Sequence, residues 1–279
     1  MKKKTKGSRA ANLIILIMLA VGIGILAYPT ISDLIIRHQL GEKVKDYEAL
    51  AAEQEDLSSY WDAAEEYNAY LRTKESQFKV DEDEKKWVDS LLSPDGSEML
   101  GSIEIPKINI NIPIYKGTEE RQLQSGAGWW YGTSLPTGTP GTHPIITAHS
   151  GLVKTKLFTD LEKLQEGDKF TLRILDRELE YTVVSVKVTL PEDNKDLFIE
   201  DDKDYVTLYT CTPVGVNDHR LLVRGERKHN LPQKSSGSKT DLVTGAVIFS
   251  GILFLSASAV IVFVIRSKGP KTKRSNQIE

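Results

Sequence analysis

Two long apolar runs bracket this chain, and each is long enough to cross a bilayer. Ala11 to Tyr28 has Asn12 as its only strongly polar side chain, and Leu242 to Ile265 contains neither a charge nor a proline. A hydrocarbon core about 30 Å thick asks for roughly 20 apolar residues in a helix. Lys2, Lys3, Lys4, Lys6 and Arg9 precede the first run, and Arg266, Lys268, Lys271, Lys273 and Arg274 follow the second. Basic flanks stay on the cytoplasmic side. The expected arrangement is a two-pass cell-membrane protein with both termini cytoplasmic and the middle outside, which excludes a free cytosolic enzyme. The first run also fits a cleaved secretory signal. No clean small-x-small site stands near Ala27, so the span is expected to be kept as an anchor.

Charge and cysteine usage narrow the class of the outer segment. The chain carries 36 Lys+Arg and 39 Asp+Glu; setting aside the ten flanking basic residues and Glu279 leaves 26 against 38, an excess of twelve negative charges. Such a surface argues against nucleic acid as a partner. Cys211 is the single cysteine, so no internal disulfide can form even though an exported protein normally pairs its thiols. A lone cysteine is commonly a small buried hydrophobe, and its context has to argue for anything more.

Between the spans the pattern divides. From Glu42 to Glu75, Val44, Tyr47, Leu50, Leu57, Trp61, Ala64, Tyr67 and Leu71 recur every three or four positions among charged residues, the spacing of one or two amphipathic helices. These either pack on the main domain or form a solvated stalk. An acidic stretch, Asp81 to Glu84, and a turn at Ser93-Pro94-Asp95-Gly96 predict a mobile connector. After Gly96 come short runs rich in Ile, Val, Thr and Tyr: 102–105, 108–115, 143–148, 170–174, 179–190, 205–210 and 220–226. One helix is expected at Leu157, Phe158, Leu161 and Leu164, capped by Gly167. Many short strands with one helix predict a closed barrel or a sandwich. The expected divisions are a basic tail 1–10, a span 11–28, a helical segment 29–75, a connector 76–98, a β domain 99–228, a linker 229–241, a second span 242–265 and a basic tail 266–279.

Cys211 directly follows the run Tyr205–Thr210 and His149 directly follows Pro144–Ala148. Rigid strand ends hold a nucleophile well, and a Cys–His pair is the usual arrangement for thiol acyl transfer. His38 and His229 lie in membrane-proximal connections. His143 lies six residues from His149, roughly 20 Å along a strand, so both cannot reach one sulfur. His219 is expected on the face opposite Arg220. His149 is the favoured partner. The anionic intermediate of acyl transfer needs a cation aimed at it; Arg220 and Arg224 are candidates roughly 13 Å apart, with Arg220 nearer. Ordinary pairing with surface carboxylates is the competing account of both.

The run Thr207-Leu208-Tyr209-Thr210-Cys211-Thr212-Pro213, then Gly215, Asn217 and His219-Arg220-Leu221-Leu222-Val223-Arg224-Gly225, closely resembles the active-site signature of the class C, pilin-polymerising sortases. Similarity extends through 101–108, 113–118, 132–136 and Ile146-Thr147-Ala148-His149-Ser150-Gly151-Leu152, about 130 residues in all. Tyr67–Leu71 and the two-span layout resemble that family too. The resemblance implies a mainly β fold: an eight-stranded sortase-type closed β-barrel with an N-terminal α-helical segment and two transmembrane helices. It implies a Cys–His–Arg site at Cys211, His149 and Arg220. It further implies that the thiolate attacks the Thr–Gly bond of a Leu-Pro-X-Thr-Gly-like sorting signal and that a pilin lysine resolves the thioacyl enzyme into an isopeptide bond. Its partners would be pilin subunits bearing that signal and an acceptor lysine.

One feature of the family is missing. Class C sortases commonly carry an Asp-Pro-aromatic lid, and no such tripeptide occurs between Glu75 and Met99. Either Phe78 or Trp87 covers the groove, or the site is open; a weak or absent lid is expected, with equal peptide cleavage by chains starting at Glu42 and at Ser97. Leu135-Pro136-Thr137-Gly138 reads as a turn, since no apolar tail follows it, and Leu231-Pro232-Gln233-Lys234-Ser235 lacks Thr-Gly. The acidic runs 81–84 and 200–204 lack the alternating ligand spacing of a calcium loop, and zinc is disfavoured by the single cysteine; no cofactor is expected. The rival readings are a housekeeping sortase using cell-wall amines and a non-enzymatic surface scaffold in which Cys211 is buried.

Overall fold

The β-rich runs close into one barrel. A computed structural model describes residues 7–228, and its strands are β1 (Met99–Ile105), β2 (Ile110–Lys116), β3 (Ala127–Trp129), β4 (Ile145–Thr147), β5 (Lys169–Ile174), β6 (Arg177–Thr189), β7 (Tyr205–Thr212) and β8 (His219–Glu226). Hydrogen-bonded neighbours run β1-β2-β3-β4-β7-β8-β6-β5, and β5 returns to β1. The β2–β3 and β4–β7 pairs are parallel. Closure leaves no unpaired sheet edge. Ile103, Ile114, Trp129, Phe170, Leu172, Tyr181, Val206, Leu208 and Val223 fill the interior and are fully buried. Gly225 on β8 is a packing requirement, because a Cβ there would lie 2.5 Å from the Phe170 ring and 2.9 Å from the Tyr181 Cβ.

The helical segment is part of this core. α1 (Gly7–Ala52) runs unbroken from the apolar stretch into the amphipathic one, with Pro29 inside it; 46 residues reach about 69 Å. The helix thus continues past residue 28 without a break. Its outer half buries Leu40, Val44 and Tyr47. The Tyr47 hydroxyl donates to the Leu100 carbonyl at 2.9 Å and accepts from the Leu175 N–H at 3.0 Å. α2 (Ser58–Thr73) buries Trp61, Ala64, Tyr67 and Leu71, the i, i+3, i+4 face that its sequence spacing demands. The Trp61 indole donates to Asp176 at 2.8 Å, and the Arg177 guanidinium lies 3.7 Å from its ring centroid. The stalk reading fails, because this stripe meets the barrel rather than water.

The connector is also ordered in structure, contrary to the expectation of a mobile link. Asp81 caps α3 (Glu82–Ser90) by accepting from the N–H groups of Asp83 and Glu84, which gives the acidic run a local role. Val88, Leu91 and Leu92 are buried, and the fully buried Lys116 ammonium donates to the carbonyls of Asp89, at 2.8 Å, and Leu91. A chain starting at Ser97 would strip Tyr47, Trp61, Tyr67, Leu71 and Val88 from the barrel. At roughly 2 kcal/mol each that loss is comparable with the entire stability of a domain, about 5–15 kcal/mol. Truncation there therefore tests folding as well as cleavage.

Other differences are local. β3 and a short helix α4 (Glu120–Ser125) were not expected; three residues are too few for periodicity to register. The run 143–148 is a strand only at 145–147; the His143 N–H donates instead to Ser134 Oγ at 3.0 Å. Leu157–Lys163 is a 3-10 segment ended by Leu164 in extended conformation, so Gly167 is not its cap. Leu135–Gly138 is irregular, with the Thr137 N–H donating to the Leu135 carbonyl at 2.9 Å, and is pinned by Asn68, whose amide donates to the Leu135 carbonyl at 3.0 Å and to Thr137 Oγ1 at 3.2 Å. The second span, the linker from 229 and both flanking tails other than residues 7–10 lie outside the described residues.

Candidate active site

The site forms where β4, β7 and β8 lie side by side. Thr147 on β4 pairs with Tyr209 on β7 in parallel register, and the chain stays stitched to β7 beyond the strand. Ala148 N–H donates to the Tyr209 carbonyl at 3.3 Å, Thr210 Oγ1 donates to the Ala148 carbonyl at 2.7 Å, and Ser150 Oγ donates to the Cys211 carbonyl at 2.6 Å. These contacts hold the segment that carries His149 against the end of β7 that carries Cys211. On the other flank, Cys211 and Arg220 are direct partners across the antiparallel β7–β8 ladder. Directly opposite residues carry their Cβ atoms about 4.5–5.5 Å apart on one face. Cys211 thus sits within β7, not after it, with an imidazole-bearing segment on one side and a guanidinium on the other.

Each side chain has an environment suited to chemistry at a surface. Cys211 is a free thiol and partly exposed, which the buried-hydrophobe account does not fit. His149 is 27% exposed, and its Nε2 lies 3.3 Å from Glu120 Oε2 at the start of α4. The Gln124 amide, donating at 2.8 Å, and the neighbouring His149 hold the Glu120 carboxyl below the usual carboxylate range. With Nε2 engaged by a carboxylate, Nδ1 is the ring nitrogen left for other partners. The Arg220 guanidinium donates to the carbonyls of Asn217 at 3.0 Å and His219 at 2.9 Å, and bonds the half-buried Tyr209 hydroxyl. Burial raises the Tyr209 phenol above its ordinary value.

The residues set aside on sequence grounds are elsewhere. His143 is enclosed, with Nδ1 2.8 Å from the Phe198 carbonyl and Nε2 2.7 Å from Thr207 Oγ1; burial pushes its pKa down to about 4. Arg224 lies 4.9 Å from the Tyr205 ring centroid and pairs with Asp196 and Glu200. His219 contacts Asp218. Glu120 was missed by sequence reasoning, since nothing distinguishes one exposed carboxylate among many. Beside the site, Phe78 packs on Trp130 and Phe198 at centroid distances of 6.0 and 5.2 Å, and Trp130 meets Tyr209 edge-on at 5.5 Å. Trp87 instead packs against Tyr67 and Tyr70, away from this face. Of the two aromatics considered for covering the groove, only Phe78 is near it.

Comparison with known proteins agrees with this geometry. A family model for the sortase domain matches residues 103–228. The crystal structure of sortase C1 from Streptococcus agalactiae is 40% identical, with a TM-score of 0.65, and covers 69% of this chain and 100% of that one. Sortase C of Clostridium perfringens, solved with the C-terminal cell wall sorting motif, is 41% identical, with a TM-score of 0.58, covering 67% and 98% respectively. Sortase A of Bacillus anthracis is 32% identical over 135 residues, 48% of this chain and 62% of that protein. The chain spans between about half and two thirds of the length of the curated relatives it matches. A barrel of this strand order with a free, partly exposed thiol next to a histidine segment and an arginine, aligned end to end with class C structures, identifies the chain as a member of the sortase family of cysteine transpeptidases, in its class C branch.

Proposed function

We propose that this chain is a membrane-anchored transpeptidase that cuts a Leu-Pro-X-Thr-Gly-like sorting signal between Thr and Gly and joins the threonine to a pilin lysine. The observation that carries the reading is the central position of Cys211 on β7, in register with Arg220 and stitched to the His149 segment. The Cys211 thiolate attacks the threonine carbonyl carbon, forming a C–S bond. Collapse of the tetrahedral intermediate breaks the Thr–Gly C–N bond, and His149 gives its proton to the departing glycine amine. A lysine ε-amine then attacks the thioester, returns a proton to His149, and expels the sulfur as an amide forms. Arg220 stabilises the oxyanion in both halves.

Support for the substrate comes from the Clostridium perfringens relative, whose structure was solved with the C-terminal cell wall sorting motif. Support for anchoring comes from the apolar residues of α1 between Leu13 and Tyr28, which are exposed. The basic residues flanking the apolar runs support a barrel outside the cell. Incubating the full chain with a sorting-signal peptide and a lysine-bearing pilin should yield a cross-linked product lost in Cys211→Ala. Cleavage with release only to water, or transfer only to a cell-wall amine, would point to the housekeeping reading.

A further inference from the structure

The loop that follows His149 is fastened to the base of the membrane helix. Ser32 Oγ donates to the Lys154 carbonyl at 2.8 Å, and the buried Asp33 accepts from the Lys156 N–H at 2.9 Å. Arg37 pairs with Asp33 and also donates to the Asn109 carbonyl at 3.0 Å. The same level of α1 keeps an apolar free face: Ile31, Leu34 and Ile35 are each more than half exposed, and the first exposed polar side chains beyond Asp33 are His38 and Gln39. From Asn12 to Ile35 the helix rises about 36 Å, the hydrocarbon core plus one turn of interface. The loop is therefore held at the level where the free face of α1 changes from apolar to polar.

That loop ends in an apolar lip. Leu152 and Val153 are 38% and 68% exposed, and Val214 and Val216, just past Cys211, are 47% and 65% exposed. The two loops touch: a Cβ on Gly151 would lie 2.7 Å from Val214 Cγ1. Exposed Lys154 stands next to Val153, the mixture of apolar and basic side chains that suits an anionic headgroup layer. Water is a poor neighbour for such a patch.

We propose that Leu152, Val153, Val214 and Val216 rest in the interfacial layer of the bilayer, so that the mouth of the Cys211 site opens at the membrane surface. The proposal rests on reading α1 as the anchor. The occupant is lipid because the hydrogen bonds to Ser32 and Asp33 leave the loop no freedom to stand away from the plane in which α1 emerges.

The test uses the full chain carrying Cys211→Ala and one introduced cysteine bearing an environment-sensitive fluorophore. The chain is reconstituted in phosphatidylcholine–phosphatidylglycerol vesicles with and without doxyl-labelled lipid. Probes at Leu19→Cys, Val153→Cys, Val216→Cys and Glu55→Cys report the span, the lip twice, and the turn beyond the distal end of α1. Quenching at the lip is expected to exceed that at Glu55 by roughly threefold or more, with Leu19 quenched most by deeply placed doxyl groups. Lip quenching equal to that at Glu55, with Leu19 quenched, overturns the proposal alone. An unquenched Leu19 overturns the anchor reading itself. Lip probes that ignore lipid but are shielded by added sorting-signal peptide would make the lip a substrate contact, which also overturns the proposal.

Discussion

Cys211 and Arg220 face each other across one rung of the β7–β8 ladder, so the thiol and the guanidinium are placed by backbone register rather than by loop conformation. Replacing Arg220 with Ala should leave the fold intact, because its hydrogen bonds go to its own turn and to Tyr209. Loss of a donor at the oxyanion costs about 10²–10³ in kcat. Arg220→Lys keeps the charge but not the fork, and is expected to recover only part of that loss. Steady-state cleavage of a sorting-signal peptide reads both variants. Wild-type rates in Arg220→Ala would remove Arg220 from the chemistry.

Glu120 engages His149 Nε2 from a largely exposed position. Ion pairs this exposed are weak, so Glu120→Ala should lower kcat by at most about fivefold with KM unchanged. Glu120→Gln, which still accepts a hydrogen bond, should recover most of it. A loss as large as that expected for Arg220→Ala would mean that Glu120 does more than orient the ring.

Two buried groups oppose each other in the pH dependence of stability. His143 has its pKa lowered to about 4 by burial, so between its unfolded value and about 4 the unfolded chain binds more protons, and this term makes stability fall as pH falls. Asp204 has its pKa raised to about 7 by burial; the folded chain then binds more protons from the unfolded carboxylate value up to about 7, and this term makes stability fall as pH rises. Between about pH 4 and 6.5 the two largely cancel. Asp204→Asn should uncover the histidine slope, with urea midpoints rising with pH across that window. A midpoint as flat as that of the wild type would show that the His143 term is absent.

Lys116 fastens the connector to the barrel through the carbonyls of Asp89 and Leu91. Lys116→Met keeps the stem but leaves those carbonyls without this donor, at about 1–3 kcal/mol. Urea denaturation should show that loss, together with faster proteolysis near Ser93. Unchanged stability and unchanged proteolysis would assign the hold on α3 to Val88, Leu91 and Leu92 alone.

Much of the fold was legible because apolar periodicity reports burial directly. The β5 and β8 runs, the first half of β6, and the Trp61–Tyr67–Leu71 stripe of α2 are buried where their spacing placed them, whereas Val186 and Val188 in the second half of β6 are exposed. The pairing of Cys211 with Arg220 on neighbouring strands was legible for another reason: a strand-bound cysteine next to a turn and an arginine can be placed by parity and turn length. Features set by tertiary contact were not legible. β3 exists only because β2 and β4 flank it, His143 leaves its strand to reach Phe198 and Thr207, and the acidic connector orders through a buried lysine far away in sequence. The docking of Ser32 and Asp33 on residues more than a hundred positions later leaves no local signature at all.

The central claim is that Cys211 is acylated by the sorting signal. Intact-mass spectrometry of the full chain, quenched shortly after mixing with a Leu-Pro-X-Thr-Gly peptide and no amine acceptor, tests it most directly. The account predicts an adduct equal to the peptide up to its threonine, less one water, located on Cys211 and released by hydroxylamine. Peptide cleavage that persists in Cys211→Ala, or proceeds without any adduct on this residue under rapid quench, would contradict it.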